Sequence, residues 1–261
     1  MPYMYTTNGI KLYYETYGEG KPIIFIHPPL MGHVVFKYQK VLSNRFQVIL
    51  YDLRGHGKSG YLPSESIDQV ISDHTDDLNS LIDGLNLKKP IIASYSNAGI
   101  QALDYSFKYP EKVGALVLSG GYPKVDSLFL AGEYQIGMFM MRTKIIRILS
   151  AILAASHKVT KEDQQELFSY AVKSNIQAVL DLYKSCLIYN GTGQLQKLSH
   201  LPMLVLYGTR DKFISKHRKY FQNLPKTQIV FIDKAFHQLP TKQYHEFNLV
   251  MERFLTDVEN R

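Results

Sequence analysis

Pro90-Ile91-Ile92-Ala93-Ser94-Tyr95-Ser96-Asn97-Ala98-Gly99-Ile100 places a short apolar run, a serine and a helix start in immediate succession. Ile91–Tyr95 has the length and character of a strand buried on both faces of a parallel sheet. The helix predicted over Ala98–Tyr109 stops before Pro110, which cannot continue it. Ser96 therefore falls at a strand-to-helix turn on the carboxyl edge of the sheet. A hydroxyl there projects from a tight turn, and the helix start offers backbone N–H groups and a favourable dipole to a developing anion. The close approach of strand and helix demands small residues two before and two after the serine, and these are Ser94 and Ala98. Ser94 is a rival nucleophile and a plain N-cap is the structural alternative, but Ser96 stands at the helix start.

Outward from this turn, Ile23–His27, Gln47–Tyr51 and Ala115–Leu118 read as further buried strands. Ile67, Val70, Ile71, Leu78, Leu81, Ile82 and Leu85 recur at helical spacing, with Ser66 and Gln69 in capping-box register. Such alternation predicts a parallel sheet covered by helices, with ligands at the carboxyl ends of its strands. From Pro123 to Leu198 the alternation gives way to helices. It resumes with Pro202–Tyr207 and Gln228–Ile232, and a last amphipathic helix carries Tyr244, Phe247, Val250, Met251, Phe254 and Leu255. The expected division is an α/β core over 1–122 and 199–261, with a helical cap at 123–198.

A chain of 261 residues with 45% hydrophobic content can bury one large core. The net charge of +7 comes without any five-residue basic run, so it is read as solubility and no nucleic-acid partner is expected. Ile136–Ala155 is apolar, yet Arg142, Lys144 and Arg147 interrupt it and each is costly inside a bilayer. It is read as amphipathic helices over a pocket, with a lipid-facing lid as the lesser alternative. Met1–Gly20 is tyrosine-rich and polar, unlike a secretory leader, which points to the cytoplasm. The single cysteine, Cys186, excludes an internal disulfide and a zinc cluster, and reads as a small buried hydrophobe.

Ser94-Tyr95-Ser96-Asn97-Ala98 resembles the G-x-S-x-G nucleophile motif of the α/β-hydrolase superfamily, with other small residues in place of its glycines. Tyr51-Asp52-Leu53-Arg54-Gly55-His56-Gly57-Lys58-Ser59 is similar to the superfamily's D-x-R-G-x-G-x-S loop, a structural element in which Arg54 is expected to make buried polar contacts. Leu204-Val205-Leu206-Tyr207-Gly208-Thr209-Arg210-Asp211 resembles its strand followed by G-x-x-D. His237, in Ala235-Phe236-His237-Gln238, precedes the last helix as the superfamily's histidine does. The resemblance implies a mostly parallel sheet of about eight strands flanked by helices, with the cap inserted after the sixth. It also implies a triad of Ser96 as nucleophile, His237 as general base and Asp211 as orienting acid, with the Asn97 N–H in the oxyanion hole. Asp126 and Asp233 are the rival acids. No metal or cofactor is implied.

One segment departs from the pattern. Where the superfamily has a His-Gly pair whose following residue donates to the oxyanion, this chain has His27-Pro28-Pro29-Leu30-Met31-Gly32. Proline has no N–H. Either Leu30 or another donor takes the place of Pro29, or turnover is slow, since one lost donor costs ~100 to 1,000-fold. His27 is read as structural. The substrate expected is a small ester, thioester or lactone with an apolar acyl part. Pro29, Leu30, Tyr95, Tyr122 and Met138 are the candidate contacts, and Phe129, Tyr134, Phe139, Met140, Met141, Phe168, Tyr170 and Tyr183 supply further apolar surface. A serine at position 96 argues against epoxide hydrolases and haloalkane dehalogenases, and the missing His-Gly-Gly-Pro-Gly loop against proline iminopeptidases. Carbon–carbon bond hydrolysis, a peracid-forming side activity and a ligand-binding receptor with little turnover are the alternatives. A monomer or homodimer is expected.

Overall fold

The computed structural model describes residues 2–143 and 145–259. Lys144, one of the three cations that interrupt the apolar stretch, lies outside the described residues. Eight strands form one sheet: β1 (Tyr3–Tyr5), β2 (Lys11–Tyr17), β3 (Pro22–Ile26), β4 (Gln47–Tyr51), β5 (Ile91–Tyr95), β6 (Ala115–Ser119), β7 (Met203–Gly208) and β8 (Thr227–Ile232). Their spatial order is β1-β2-β4-β3-β5-β6-β7-β8. The β1–β2 and β2–β4 pairs are antiparallel and every other pair is parallel. Two strands, β1 and β2, lie outside the set the apolar runs predict. Lys11–Tyr17 is only half-buried, so it lacks the continuous apolar signature of a central strand.

The central strands β3, β5, β6 and β7 are buried along their whole length. Alternate side chains enter opposite layers. Ile92, Leu116, Leu118, Val205 and Tyr207 meet α1 (Val70–Gly84) and α2 (Ala98–Lys108) on one face. Ile91, Ala93, Val117, Leu204 and Leu206 meet Phe247, Met251, Phe254 and Leu255 of the last helix, Tyr244–Glu259, on the other. The expected capping box at Ser66 does not form. A 3₁₀ turn over Ile67–Gln69 precedes α1, and its closing bond sends the Gln69 N–H, the donor a capping box would use, to the Ser66 carbonyl.

Among the described residues, four α-helices lie between β6 and β7, α3 (Leu128–Arg142), α4 (Ile146–His157), α5 (Lys161–Ala171) and α6 (Ile176–Ile188), followed by a 3₁₀ helix over Thr192–Leu198. Three of their starts are capped by side chains. Ser127 accepts from the Leu130 N–H, Asn175 from the Ala178 N–H, and Thr160 and Asp163 form a reciprocal capping box. The two ends of this four-helix segment meet where Lys124 bridges to Asn190 and the Gly191 N–H donates to the Pro123 carbonyl at 3.0 Å. Among the described residues, no helix is long and apolar enough to cross a membrane.

Candidate active site

Ser96 leaves β5 with φ of +59°, a left-handed conformation that a non-glycine residue adopts only under constraint. The constraint is visible on both sides. The Ser96 N–H donates to the Ser119 carbonyl at the end of β6, and its own carbonyl accepts from Gly99. Gly99 sits so close to the next strand's loop that a Cβ there would lie 2.9 Å from the Gly121 Cα. This turn lifts the Ser96 hydroxyl off the sheet edge while Ser94 stays buried, its Oγ donating to the Val117 carbonyl at 3.4 Å. Ser94 is therefore not the projecting serine.

The projecting hydroxyl has a partner. Ser96 Oγ lies 2.8 Å from His237 Nε2, and His237 Nδ1 lies 2.9 Å from Asp211 Oδ2. A carboxylate only accepts, so Nδ1 carries the proton and Nε2 is left to receive the serine's. The second oxygen of Asp211 accepts from the Ile214 N–H at 3.1 Å, which fixes the carboxylate after β7. The rival acids are engaged elsewhere. Asp126 meets His217, Lys219 and Tyr220; burial pushes its carboxyl up, but Lys219 and Tyr220 outweigh that and hold it at about 2. Asp233 is exposed and accepts from Thr209.

His237 is seated by two glycines, Gly208 of the G-x-x-D stretch and Gly120, which no motif singles out. Gly120, at φ +60°, faces the imidazole so closely that a Cβ would lie 2.6 Å from Cε1 and 2.8 Å from Nδ1. Behind the histidine, a Cβ on Gly208 would meet the Ala235 and Phe236 carbonyls at 2.3 and 2.4 Å. The signal was the Gly120-Gly121 pair directly after β6, at a strand end equivalent to those of Ser96 and Asp211. From another side, the Tyr95 ring lies against His237, with centroids 5.2 Å apart. The Tyr95 hydroxyl donates to His157 Nε2 at 2.9 Å, because His157 Nδ1 already donates to the Leu153 carbonyl. Burial drives the His157 imidazole down to about 4, so it is neutral near pH 7. Thus α4 is tied to the residue beside the serine.

These groups open into a cavity of about 610 Å³ beneath α3 and α4. Pro28, Pro29, Tyr95, Asn97 and Tyr122 line it from the core, and Phe129, Tyr134 and Tyr183 from the inserted helices. Two of the expected contacts do not contribute their side chains to its wall. Leu30 and Met138 are buried together in an apolar cluster with Met141, Ala171, Val179 and Leu180 that joins the insertion to the core. Phe139 faces solvent. Glu133 borders the cavity, its carboxyl raised by desolvation.

The loop after β3 departs from the superfamily pattern as its prolines require. His27 Nδ1 donates to the Pro28 carbonyl, and Nε2 accepts from the Leu53 N–H. With both nitrogens used and burial driving it to about 3, His27 is a neutral brace. Leu30 follows at φ +70°. Among the described residues, neither the Leu30 N–H nor the Asn97 N–H meets an acceptor, although both residues are buried. The Asp52–Ser59 loop is structural: Arg54 grips Asp77 through Nε at 2.6 Å and Nη2 at 2.8 Å.

Residues 38–243 match the family model described as serine aminopeptidase, S33, which is most of the chain. The chain belongs to this family of α/β-hydrolases. Among curated proteins, it is 24% identical to a cis-3-alkyl-4-alkyloxetan-2-one decarboxylase of Shewanella oneidensis, over 97% of this chain and 87% of the relative. It is 23% identical to the human serine hydrolase BPHL, over 95% and 84% of the respective lengths. Among solved structures, a carboxylesterase of the thaumarchaeon Nitrososphaera gargenis superposes with a TM-score of 0.83 at 20% identity, covering 99% of both chains. This S33 member thus shares its fold end to end with known hydrolases. Its elbow, relay and cavity are the parts from which a hydrolytic site is built.

Proposed function

We propose that this protein is a serine hydrolase that cleaves a small ester, thioester or lactone through an acyl-enzyme. The observation that carries the reading is the unbroken Ser96–His237–Asp211 relay opening into an apolar-walled cavity. As the Ser96 oxygen attacks the substrate carbonyl, His237 Nε2 takes its proton, and Asp211 stabilises the imidazolium while holding the ring in place. His237 then returns the proton to the leaving alkoxide or thiolate. In deacylation the same nitrogen takes a proton from water as its oxygen attacks the acyl carbon, the bond to Ser96 Oγ breaks, and His237 returns the proton to Ser96 as the acid departs. The Asn97 N–H at the helix start and the Leu30 N–H are the two donors assigned to the oxyanion, with Leu30 substituting for the donor that Pro29 lacks. The reaction as proposed draws on no metal or cofactor.

The helices over 123–198 are assigned as a cap whose Phe129, Tyr134 and Tyr183 receive the apolar acyl part. The named chemistry of the relatives supports this class: an oxetan-2-one is a strained cyclic ester, and the structural neighbour is a carboxylesterase. Pro29 favours a second reading, a receptor with slow turnover, and the unpaired Leu30 N–H counts against it. Intact mass after fluorophosphonate treatment, with p-nitrophenyl esters from acetate to octanoate and an aminoacyl p-nitroanilide, separates the readings. One label at Ser96, ester turnover and its loss in Ser96→Ala are expected. An unlabelled, inactive wild type would give the receptor reading, and anilide cleavage without ester cleavage a peptidase.

A further inference from the structure

Surface helices usually turn their apolar residues inward, but α3 and α4 turn several outward. Leu128 is 94% exposed and Phe139 62%, and Ile136, Ile148 and Ile152 are each more than half exposed. This face is continuous with the cavity mouth: Phe129 and Ile136 both line the cavity and face water, and Phe129 stacks at 4.1 Å on exposed Phe213 of the opposite rim. An exposed apolar area of this kind marks an interaction surface.

The charges around it identify the partner. Between Tyr134 and Thr160 the described residues include Arg142, Arg147 and Lys158 but no Asp or Glu. Across the mouth, Arg210 and Lys212 flank exposed Phe213 and Phe236. Glu133 is the acid at this rim, since Asp211 is held by His237. A second copy of the chain meeting this face by two-fold symmetry would press like charges together. A bilayer bearing anionic headgroups does the opposite. It neutralises the cations and takes the aliphatic side chains among its acyl tails.

We infer that the outward face of α3 and α4, with the Arg210–Phe213 rim, docks on an anionic lipid surface and turns the cavity mouth toward the acyl layer. The docking stands on the surface alone; delivery of an acyl substrate through it rests on the hydrolase reading. Binding is therefore measured on the Ser96→Ala protein, by co-sedimentation with vesicles of phosphatidylcholine containing phosphatidylglycerol and with phosphatidylcholine alone. Binding to the anionic vesicles only, weakened by added salt, is expected. Phe139→Ser combined with Ile148→Ser should lower the partition coefficient by at least about tenfold, and Arg142→Gln with Arg147→Gln should lower it too. In an otherwise wild-type background, Phe139→Ser with Ile148→Ser should leave hydrolysis of a short soluble ester unchanged, because neither side chain lines the cavity. No vesicle binding, or equal binding to neutral vesicles, overturns the inference. So does a wild-type dimer in sedimentation velocity that the same double substitution dissociates, which would give the face to a second copy.

Discussion

Gly120→Ala tests how tightly the histidine is seated. The alanine Cβ would start 2.6 Å from His237 Cε1, whereas unstrained carbon contacts lie at about 3.5–4.0 Å, so the ring must retreat by roughly 1 Å. It cannot do so and keep both the 2.8 Å approach to Ser96 and the 2.9 Å bond to Asp211. A displacement of that size costs about 100-fold in rate when it falls on the reacting groups. Left-handed backbone adds about 1–2 kcal/mol for any residue with a Cβ, and for a chain of this size each kcal/mol lowers Tm by about 2–4 °C. The expected enzyme is folded, a few degrees less stable, and about 100-fold slower in kcat with KM little changed. Rates of p-nitrophenyl ester hydrolysis and of fluorophosphonate labelling measure it, beside Gly132→Ala, whose Cβ meets nothing. A Gly120→Ala enzyme with wild-type turnover would falsify the seating argument.

Two further outcomes are expected. His157 has its imidazole depressed by burial to about 4 from an ordinary 6.5. Its neutral form therefore contributes stability that is complete above pH 6.5 and lost as the pH falls through 4. That contribution is on the order of 3 kcal/mol, so Tm measured against pH should fall less steeply below 6.5 in His157→Gln than in wild type; parallel curves would show that another group carries the acid loss. In the proposed relay Asp211 acts through His237, so Asp211→Asn with His237→Ala should be scarcely slower than His237→Ala alone. Fully additive losses in kcat/KM would separate the two residues.

The positions of Ser96 and Asp211 were legible because each follows a buried apolar run, where a parallel sheet presents its loops, and that of His237 because it falls between the edge strand β8 and the last helix. Other features were hidden for physical reasons. Steric demand at the elbow is a local property of Ser94 and Ala98, but the demand at Gly120 arises only when His237, more than a hundred residues away, is brought against it. The inward face of α3 could not be read from periodicity, since Leu128, Ile136 and Phe139 are as apolar as the buried Met138 and Met141 and yet face outward. Met138 consequently packs with Leu30 in the joint between insertion and core instead of touching the cavity. The strand β2 was obscured by its solvated side, and Ser66 lost its capping role to a backbone bond that composition does not reveal.

The junction at Lys124 and Asn190 has a consequence for making new enzymes. Because the inserted helices depart and return through adjacent backbone, joined there by a bridge and the Gly191–Pro123 bond, they form a cassette with one attachment point. Exchanging residues 125–189 for the matching segment of another family member would alter the chamber above the serine. The graft would have to respect the apolar joint, where Leu30 enters the cluster, and polar ties to the core that include Tyr95 to His157, Lys37 and Tyr38 to Asp163, and the Asn175 N–H to the Gly55 carbonyl. Chimeras that keep these contacts offer a direct route to retargeting the scaffold without touching Ser96, Asp211 or His237.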